Sequence, residues 1–418
     1  DYYQTVGSVG CLSGYVNIYG ECDRLEYQWL VGDSADNVNT PIGDRQVVSD
    51  PCLYMNQQSE HLYGATVASS RRMAIELPCP SNVVGTKYYR LMVYCVSPNN
   101  KSYTSYSDTL CVETWPVSRR DEMFTVTPEG EVNRYLGFET ELVIPSVISG
   151  VQVTKIGCFN DFNTVVGPQR IVIPDGVTEL ADKAFYGLVS LTEVVLPSTL
   201  RSIGEKAFWR CGLASLTIPN GVEVIHMEAF KEAFVNTAEV TVNADGVLIN
   251  RGAFAGAKMK KFVLNMSVSP TLGAMVDVPS VINGDSYRGS FDGCENLYYF
   301  AFPEDCSVIV NEEWPSMMIY NCPNLVWIEN PQNNDFTNHP GAMAPGIDSC
   351  VAKCLIYENA VRFGDWICIP DYDIIDSSIP ENYFWPSRSG TPNEGWCVVK
   401  KLYSTERIVT LPSELGGK

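Results

Sequence analysis

The chain contains 418 residues, of which 45% are hydrophobic and 19% are charged, and its formal net charge is -20. At roughly 100–200 residues per domain, this length predicts two to four domains with sizeable cores. The acidic balance argues against a partner that is a nucleic acid or an anionic membrane, since proteins that bind these normally present a basic surface. No apolar run approaches the ~18 residues of a transmembrane helix, so we expect none in this chain.

Residues 1–118 contain many short segments rich in Val, Tyr, Ile and Leu, which turn-forming clusters separate. Segments of this length and spacing predict antiparallel strands. One of them carries Trp29 and another carries Cys95, and together they resemble a core strand pair of an immunoglobulin-type domain. We therefore expect an Ig-like β-sandwich with Trp29 in its core, followed by a polar linker over Trp115–Glu122.

From residue 150 onward the chain repeats itself every 22 or 23 residues. Three in-phase copies share an Ile-Pro or Leu-Pro pair and a final Ala-Phe pair: Ile171–Phe185, Val194–Phe208 and Leu216–Phe230. Less regular copies lie at Phe291–Leu297 and Tyr320–Leu325. A period in this range is typical of stacked repeats, in which a single unit cannot bury its own apolar face.

Within one repeat the apolar residues follow the pattern L-x-x-L-x-L, which predicts a strand with two distinct faces. The expected inward residues are Leu191, Val194 and Leu196. The expected outward residues are Thr192, Glu193 and Val195. Proline then ends the strand, and the Ala-Phe pair lies on the return side of the repeat, where the phenylalanine fills the interior.

These repeats resemble the leucine-rich repeats of the BspA-like family of bacterial surface proteins, through the Ile-Pro pair, the Ala-Phe pair and the leucine before each strand. The resemblance implies a mainly β protein with a leucine-rich-repeat solenoid over residues 119–331. Residues 332–418 would then form an irregular cap or an extension of the solenoid. The resemblance also implies an exported, non-enzymatic protein at the cell surface that binds macromolecules of a host or a neighbouring cell.

The spacing of the repeat is interrupted once. Phe254 and Phe291 are 37 residues apart, which predicts an inserted excursion that includes Val268–Asn283.

The chain has 15 cysteines, so at least one is unpaired within it. Three of these follow the repeat phenylalanine or tyrosine, where the family often has cysteine, which implies buried free thiols: Cys211, Cys294 and Cys322. The four C-terminal cysteines lack the two short-spaced pairs of a structural zinc site.

No motif of an established catalytic or metal site is present, so we expect no catalytic residue, no metal ligand and no cofactor. The sequence contains neither a Gly-rich phosphate loop nor a G-x-S-x-G or H-E-x-x-H motif. The acidic clusters Asp33–Asn39 and Asp371–Asp376 could offer oxygens to calcium. The first lacks the glycine and glutamate of an EF-hand loop, and solvated turns are the simpler interpretation of both.

The outward position of the repeat strand changes character along the chain. It is held by Glu193, Ser215, Lys261, Tyr299 and Trp327 in successive copies, and the position before it by Lys260 and Tyr298 in two of them. Aromatic residues outside a core are candidate binding platforms. The predicted ligand-binding residues are therefore Tyr298, Tyr299, Trp327, Lys260 and Lys261. The alternative is that the C-terminal region folds back and buries these aromatic residues as a cap.

Three functional hypotheses follow from the sequence. The preferred one is adhesion to a protein or glycan ligand on another cell or matrix, by a monomer held at the cell surface by a lipid anchor upstream of Asp1. Because the chain starts at Asp1 without an initiator methionine, we expect it to be a mature or trimmed form. The second hypothesis is a carbohydrate-binding component associated with glycan uptake. The third is an enzyme whose site lies in residues 332–418.

Overall fold

A computed structural model describes residues 2–18, 23–48, 71–80, 82–97, 99–158, 167–235, 238–274, 290–297, 299–303, 309–310, 319–320, 322, 327–329, 361–363, 366–370 and 396–401. The chain divides into two compact units. The first comprises Asp1–Val153, Phe159–Pro174 and Leu188–Leu191; the second comprises Thr154–Cys158, Asp175–Gly187 and Thr192–Lys418. Within these described ranges, no helix is long and apolar enough to cross a membrane.

The secondary structure is almost entirely β. Up to residue 153 the strands are β1 (Tyr2–Thr5), β2 (Val9–Ile18), β3 (Arg24–Gly32), β4 (Thr40–Val48), β5 (Arg71–Pro80), β6 (Gly85–Val96), β7 (Ser102–Tyr106), β8 (Leu110–Trp115), β9 (Phe124–Val126), β10 (Glu131–Tyr135), β11 (Glu141–Val143), β12 (Val147–Ile148) and β13 (Val151–Gln152). A 3-10 helix, Val117–Met123, lies between β8 and β9.

From residue 154 onward the strands are shorter and more evenly spaced. They are β14 (Lys155–Ile156), β15 (Arg170–Val172), β16 (Glu179–Leu180), β17 (Glu193–Val195), β18 (Ser202–Ile203), β19 (Ser215–Ile218), β20 (Val224–Ile225), β21 (Glu239–Val242), β22 (Leu248–Asn250), β23 (Lys261–Leu264), β24 (Thr271–Ala274), β25 (Phe291–Asp292), β26 (Tyr299–Ala301), β27 (Ile309–Val310), β28 (Ile319–Tyr320), β29 (Trp327–Glu329), β30 (Val361–Phe363), β31 (Trp366–Pro370) and β32 (Trp396–Lys401). The last three form a small antiparallel sheet.

The N-terminal strands form two sheets, and residues of both sheets contribute to an apolar cluster. One sheet has the order β1-β8-β6-β3-β4, with β7 also paired to β6, and β2 pairs with β5 in the other. Trp29 on β3 is 4% exposed and packs in a cluster that includes Leu12 and Ile75 from the two-stranded sheet and Leu91 from β6. The prediction that Trp29 is a core residue is confirmed.

The segment that follows the N-terminal strands differs from the expected linker. Its polar residues form the 3-10 helix, and the Arg119 guanidinium lies 2.7 Å from the Glu122 carboxylate. Beyond the helix, Phe138 joins the same N-terminal core, with its ring centroid 5.2 Å from that of Tyr2. The first compact unit therefore continues past residue 118, because apolar contacts and not the polar segment define where it ends.

Two buried cysteines in this unit hold their protons strongly. Burial raises the pKa of the Cys79 thiol to about 12, and the neighbouring Cys11 adds to this rise. Burial and the nearby Glu76 carboxylate raise the pKa of the Cys11 thiol to about 11. Both pKa values lie above the ordinary thiol value of 9.0. At a pH between the ordinary and the raised values, these thiols are therefore protonated in the folded protein and ionised in the unfolded chain.

We expect the free energy of unfolding to fall as the pH rises above ~9. Above that pH the thiols of Cys11 and Cys79 lose their protons in the unfolded chain but keep them in the folded protein, which favours the unfolded state. Guanidinium titrations at pH ~8 and pH ~10.5 would measure this loss. The double variant Cys11→Ser/Cys79→Ala should show a shallower pH dependence. An identical dependence in wild type and variant would contradict the assignment.

The second unit contains two parallel sheets to which successive repeats each add one strand. The first parallel sheet has the order β19-β21-β23-β26-β29, and the second parallel sheet contains β14, β16, β18, β20, β22, β24 and β27. Exposure alternates along β19 of the first parallel sheet, where Leu216 and Ile218 are buried and Ser215 and Thr217 are exposed, whereas all three residues of β26 are buried. In the copy over which the division is predicted, Leu191 and Val194 are buried and the outward residues 192, 193 and 195 are exposed, as expected, whereas Leu196 is half-buried and not fully inside.

The repeat phenylalanines stack into a ladder in the interior. The Phe ladder consists of Phe185, Phe208, Phe230, Phe254 and Phe291, and each member is at most 1% exposed. Successive ring centroids are 5.3, 5.1, 5.0 and 5.2 Å apart. Backbone hydrogen bonds hold the same spacing, since the N–H of each ladder residue from 185 to 254 donates to a carbonyl of the next repeat. The predicted interior position of these rings is confirmed.

The insertion starts later than the sequence suggests. Thr271–Ala274 pairs in parallel with both β22 and β27, so it belongs to the second parallel sheet and not to an excursion. The extra length falls between Leu272 and Phe291, and residues 275–289 lie outside the described part of the chain. The repeat after the insertion also differs: Ile319, and not Tyr320, pairs with Phe291 and takes the ladder position.

The three predicted thiols are buried and none of them forms a disulfide. Cys211, Cys294 and Cys322 are 2%, 0% and 0% exposed. Their Sγ–H groups donate to the carbonyl oxygens of the Phe ladder residues 185, 254 and 291, at 3.1, 3.1 and 3.2 Å. Burial raises the pKa of the Cys294 thiol well above its usual value. These thiols are therefore inert components of the interior.

Alkylation should distinguish these thiols from accessible ones. In the native protein Cys211, Cys294 and Cys322 should resist iodoacetamide near neutral pH, because their burial keeps the reagent away from the sulfur atoms. After denaturation without reductant all three should be alkylated, as mass spectrometry of the peptides would show. Any of them found in a disulfide would contradict their place in the interior.

Candidate binding face of the repeat strands

Residues at the expected outward positions of the first parallel sheet align in two columns. Column one is Ser215, Glu239, Lys261, Tyr299 and Trp327, and column two is Thr217, Thr241, Val263, Ala301 and Glu329. Parallel pairing in register places neighbours in a column about 4.8 Å apart. The predicted alignment of Lys261, Tyr299 and Trp327 is therefore seen in the strand register.

Glu239 is the member of column one that the sequence pattern misses. Its strand, β21, is followed by Asn243 instead of the proline that marks the regular repeats. The available signal is the spacing, since Val240 and Val242 lie 24 residues after Leu216 and Ile218, with which they pair. An apolar period thus locates this strand where the Ile-Pro motif does not.

The carboxylate of Glu239 engages both predicted lysines. Its oxygens lie 3.3 Å from Lys260 Nζ and 3.6 Å from Lys261 Nζ. The Lys261 ammonium also lies 5.4 Å from the centroid of the Tyr299 ring. Pairs this exposed contribute little to stability, so their main effect is on the local charge that a partner meets. The two lysines are partly compensated by Glu239 and form one mixed-charge patch with it.

Accessibility decreases from repeat to repeat along the face. In column two Thr217 is exposed, Thr241 and Val263 are half-buried, and Ala301 is only 5% exposed. In column one Glu239 is exposed, whereas Tyr299 is 5% exposed. Among the side chains of this face that the structure describes, those that solvent reaches therefore extend from Ser215 to Val263, and Tyr299 is nearly fully buried.

The remaining predicted ligand residues lie outside the described side chains. Tyr298 is outside the described residues, and only the backbone of Trp327 is described. Whether these two form a ligand platform with Lys260 and Lys261 stays a prediction. Of the two acidic clusters, Asp33–Asn39 is an exposed turn apart from Val38, and its Asp33 carboxylate pairs with Lys87. The other cluster, Asp371–Asp376, is outside the described residues.

The repeats also contain a charged network centred on Glu228. Glu228, whose side chain is 8% exposed, lies 3.0 Å from Lys206 Nζ and 3.2 Å from Lys231 Nζ. Arg210 lies 2.6 Å from Glu232 in the adjoining repeats. Lys206 Nζ also lies 2.9 Å from the Glu205 carboxylate, so three carboxylates meet three cations in these contacts, which link neighbouring repeats.

The parallel register, the Phe ladder and the mixed outward columns together are the arrangement expected for leucine-rich repeats. Residues 155–271 match the family model of the BspA type leucine rich repeat region, in six copies. The resemblance seen in the sequence is confirmed over these residues, which are a little over a quarter of the chain. A search of curated protein sequences finds no match.

Solved structures of bacterial leucine-rich repeat proteins are similar to about half of the chain. A leucine-rich repeat protein from Bacteroides ovatus is 24% identical over 51% of this chain and 54% of its own, with a TM-score of 0.37. The T. pallidum leucine-rich repeat protein is 21% identical over 55% of this chain and 91% of its own, with a TM-score of 0.34. A leucine-rich cell surface protein from Faecalibacterium prausnitzii is 18% identical over 50% and 75%, with a TM-score of 0.23. The chain thus spans about half the length of the Bacteroides ovatus protein.

Proposed function

We propose that this chain is an exported, non-enzymatic surface protein whose repeats form a solenoid that binds a macromolecule of a host or a neighbouring cell. The observation that carries the proposal is the outward face of the first parallel sheet, which is regular in its backbone and varied in its side chains. A repetitive scaffold fixes the spacing of the columns, and substitutions in the columns change the ligand without disturbing the interior. The match of residues 155–271 to a leucine-rich repeat region supports this role.

The chemistry of the accessible face suits a protein partner. Ser215, Thr217 and Thr241 supply hydroxyl groups, and Glu239 with Lys260 supplies both signs of charge within one patch. Mixed polar contacts of this kind favour complementary protein surfaces and set the orientation of the partner. We propose that Trp327 and Tyr298 extend this surface and provide its apolar contacts.

Binding to intact cells would test the proposal. Fluorescently labelled chain should bind host epithelial or neighbouring bacterial cells, and protease treatment of those cells should abolish the binding. Glu239→Lys and Trp327→Ala should each weaken binding by at least about tenfold, which corresponds to ~1.4 kcal/mol. The matched control is Glu223→Lys, which makes the same charge change at a side chain that is 76% exposed, beside the second parallel sheet.

The control defines what would contradict the proposal. Equal losses in Glu239→Lys and Glu223→Lys would show that net charge, and not the repeat face, governs binding. No binding to any protease-sensitive cell component would also count against it. Antibody labelling of intact cells that produce the protein tests export separately, since an intracellular protein would stay unlabelled.

A carbohydrate-binding component of glycan uptake is the second candidate, favoured by the tyrosine and tryptophan aligned in column one. Sugar rings stack on flat aromatic faces, so this function requires an accessible Trp327. It predicts that glycosidase treatment, and not protease treatment, removes the binding sites from cells, and that Trp327→Ala abolishes hits on a glycan array. In either case the N-terminal unit, with Trp29 and Cys95 on paired strands, would be an Ig-like spacer or a second binding module.

A further inference from the structure

The edge strand β7 lacks the features that usually prevent an edge strand from pairing with another chain. All five of its residues are exposed, and among the described residues it pairs only with β6. Natural sheets guard such edges with charged residues, proline or a bulge. The sequence Ser-Tyr-Thr-Ser-Tyr of β7 contains neither a charge nor proline, and its pairing with β6 is free of register shifts. An open edge of this kind is a template for an additional strand.

Hydrogen bonds on either side of β7 show which backbone groups are available. Ser97 N–H donates to the Lys101 carbonyl, and Ser107 N–H donates to the Leu91 carbonyl, both at 2.9 Å. Antiparallel pairing alternates along the strand, so the odd-numbered residues between these points face β6. Thr104, at the centre of β7, therefore directs its N–H and C=O away from β6, toward the open edge.

The outer face beside this edge carries arginines over tyrosine rings. The Arg90 guanidinium carbon lies 4.5 Å from the centroid of Tyr106 on β7, and that of Arg45 lies 5.5 Å from the centroid of Tyr94 on β6. Tyrosine and arginine are the residue types that are enriched at the centres of protein interfaces. The Arg90 Nε atom is buried without a hydrogen-bond partner, so one donor of this face remains unsatisfied.

The charge on this face is the reverse of that of the chain. Arg24 and Arg45 contact one carboxylate, Glu26, whose side chain is 5% exposed, and Arg90 adds a further cation. Lys101, directly before β7, is also exposed, and two exposed carboxylates, Asp23 and Asp108, directly precede β3 and follow β7 in the sequence. A local excess of positive charge within a chain of net charge -20 favours an acidic partner.

We propose that the β7 edge binds an extended acidic segment of another protein, which adds a strand to the sheet. The added backbone hydrogen bonds to the outward groups around Thr104. Every second side chain of that segment faces the arginine–tyrosine row, where acidic residues pair with Arg90, and Lys101 at the start of the edge adds to the electrostatic attraction. The alternate side chains lie beside Tyr103, which is 57% exposed and supplies apolar contact.

A peptide of defined composition tests this surface on the full chain. The probe is a fluorescein-labelled peptide of about ten residues, about two typical strand lengths, that alternates glutamate and valine. Its counterpart replaces each glutamate with lysine. By fluorescence anisotropy the acidic peptide should bind and the basic peptide should not, and the affinity should fall with added salt because the attraction is electrostatic.

Substitutions at Thr104 distinguish backbone pairing with an added strand from general electrostatic attraction. Thr104→Pro removes the central outward N–H but no β6 ladder bond, since proline is tolerated on an edge strand where its nitrogen faces solvent. It should weaken binding of the acidic peptide by at least about tenfold, whereas Thr104→Val, which keeps the N–H, should bind as wild type does. Lys101→Glu, a surface change that leaves the backbone intact, should also weaken binding, and Lys87→Glu should not.

Several outcomes would overturn the proposal. These are no binding of the acidic peptide, equal binding of the basic peptide, or full binding by a folded Thr104→Pro variant. Analytical sedimentation tests whether the β7 edge binds a second copy of this chain. A dimer that dissociates in the Thr104→Pro variant would assign the edge to that second copy. Competition by dextran sulfate that is insensitive to Thr104→Pro would assign the face to an anionic polysaccharide instead.

Discussion

Phe208→Ala should lower the free energy of unfolding by about 3–5 kcal/mol. The ring is 0% exposed and lies between Phe185 and Phe230, with centroid distances of 5.3 and 5.1 Å. Its own backbone is fixed as well, since the N–H donates to the Ala229 carbonyl at 2.7 Å. The repeats therefore cannot close over the cavity, and chemical denaturation monitored by circular dichroism would measure the loss.

Tyr186→Ala is the matched control, because it also removes an aromatic ring that stacks between repeats. Tyr186 is 39% exposed and its ring lies 4.4 Å from that of Trp209. Its removal should cost about 0.5–1.5 kcal/mol, since it loses a ring contact but creates no buried cavity. Similar costs for Tyr186→Ala and Phe208→Ala would show that the Phe ladder is not the interior of the repeats.

The interior of the repeats could be predicted from the sequence because it obeys two local rules. Strand alternation assigns Leu216 and Ile218 to the inside, and the fixed period brings Phe208 and Phe230 into register. Both rules fail where motif residues are replaced. Ile319 occupies a ladder position without being aromatic, and β21 lacks its proline, so neither can be assigned without the strand pairing.

The candidate site shows the limit of such local rules. The alignment of Lys261 with Tyr299 follows from matching the repeat motifs on either side of the insertion, but the exposure of Tyr299 does not. Whether an outward residue meets solvent depends on all the rest of the chain, which a repeat pattern does not encode. Glu239 shows the same limit for charge, because a single missed strand hides the carboxylate that compensates Lys260 and Lys261.

The β7 edge and the N-terminal unit depend on contacts that are still more distant in sequence. Thr5 and Glu139 are separated by 134 positions and nonetheless share hydrogen bonds. No motif marks either residue, since a threonine and a glutamate at that separation have no common pattern. Composition correctly indicates a β-rich N-terminal region, but only the folded chain shows which of its polar residues are buried.

Glu139→Ala should destabilise the protein by about 2–4 kcal/mol, because it leaves several buried donors without an acceptor. Glu139 is 2% exposed, and its carboxylate accepts from the Thr5 hydroxyl at 2.9 Å, from the Thr5 N–H at 3.2 Å and from the Tyr135 hydroxyl. Burial and this carboxylate raise the pKa of Tyr135 well above its usual value, so the phenol remains a donor. Differential scanning calorimetry would measure the loss.

Two variants separate this hydrogen-bonded cluster from a general effect of charge. Glu139→Gln keeps one acceptor oxygen in nearly the same place and should lose less stability than Glu139→Ala. Glu141→Ala removes a carboxylate two residues away, whose side chain is 57% exposed and pairs with Arg170, and should cost less than about 1 kcal/mol. Equal losses at Glu139 and Glu141 would contradict the cluster. A large loss confined to Glu139 would mean that a buried carboxylate, bonded to both Thr5 and Tyr135, secures the first strand of the chain to residues 135–139.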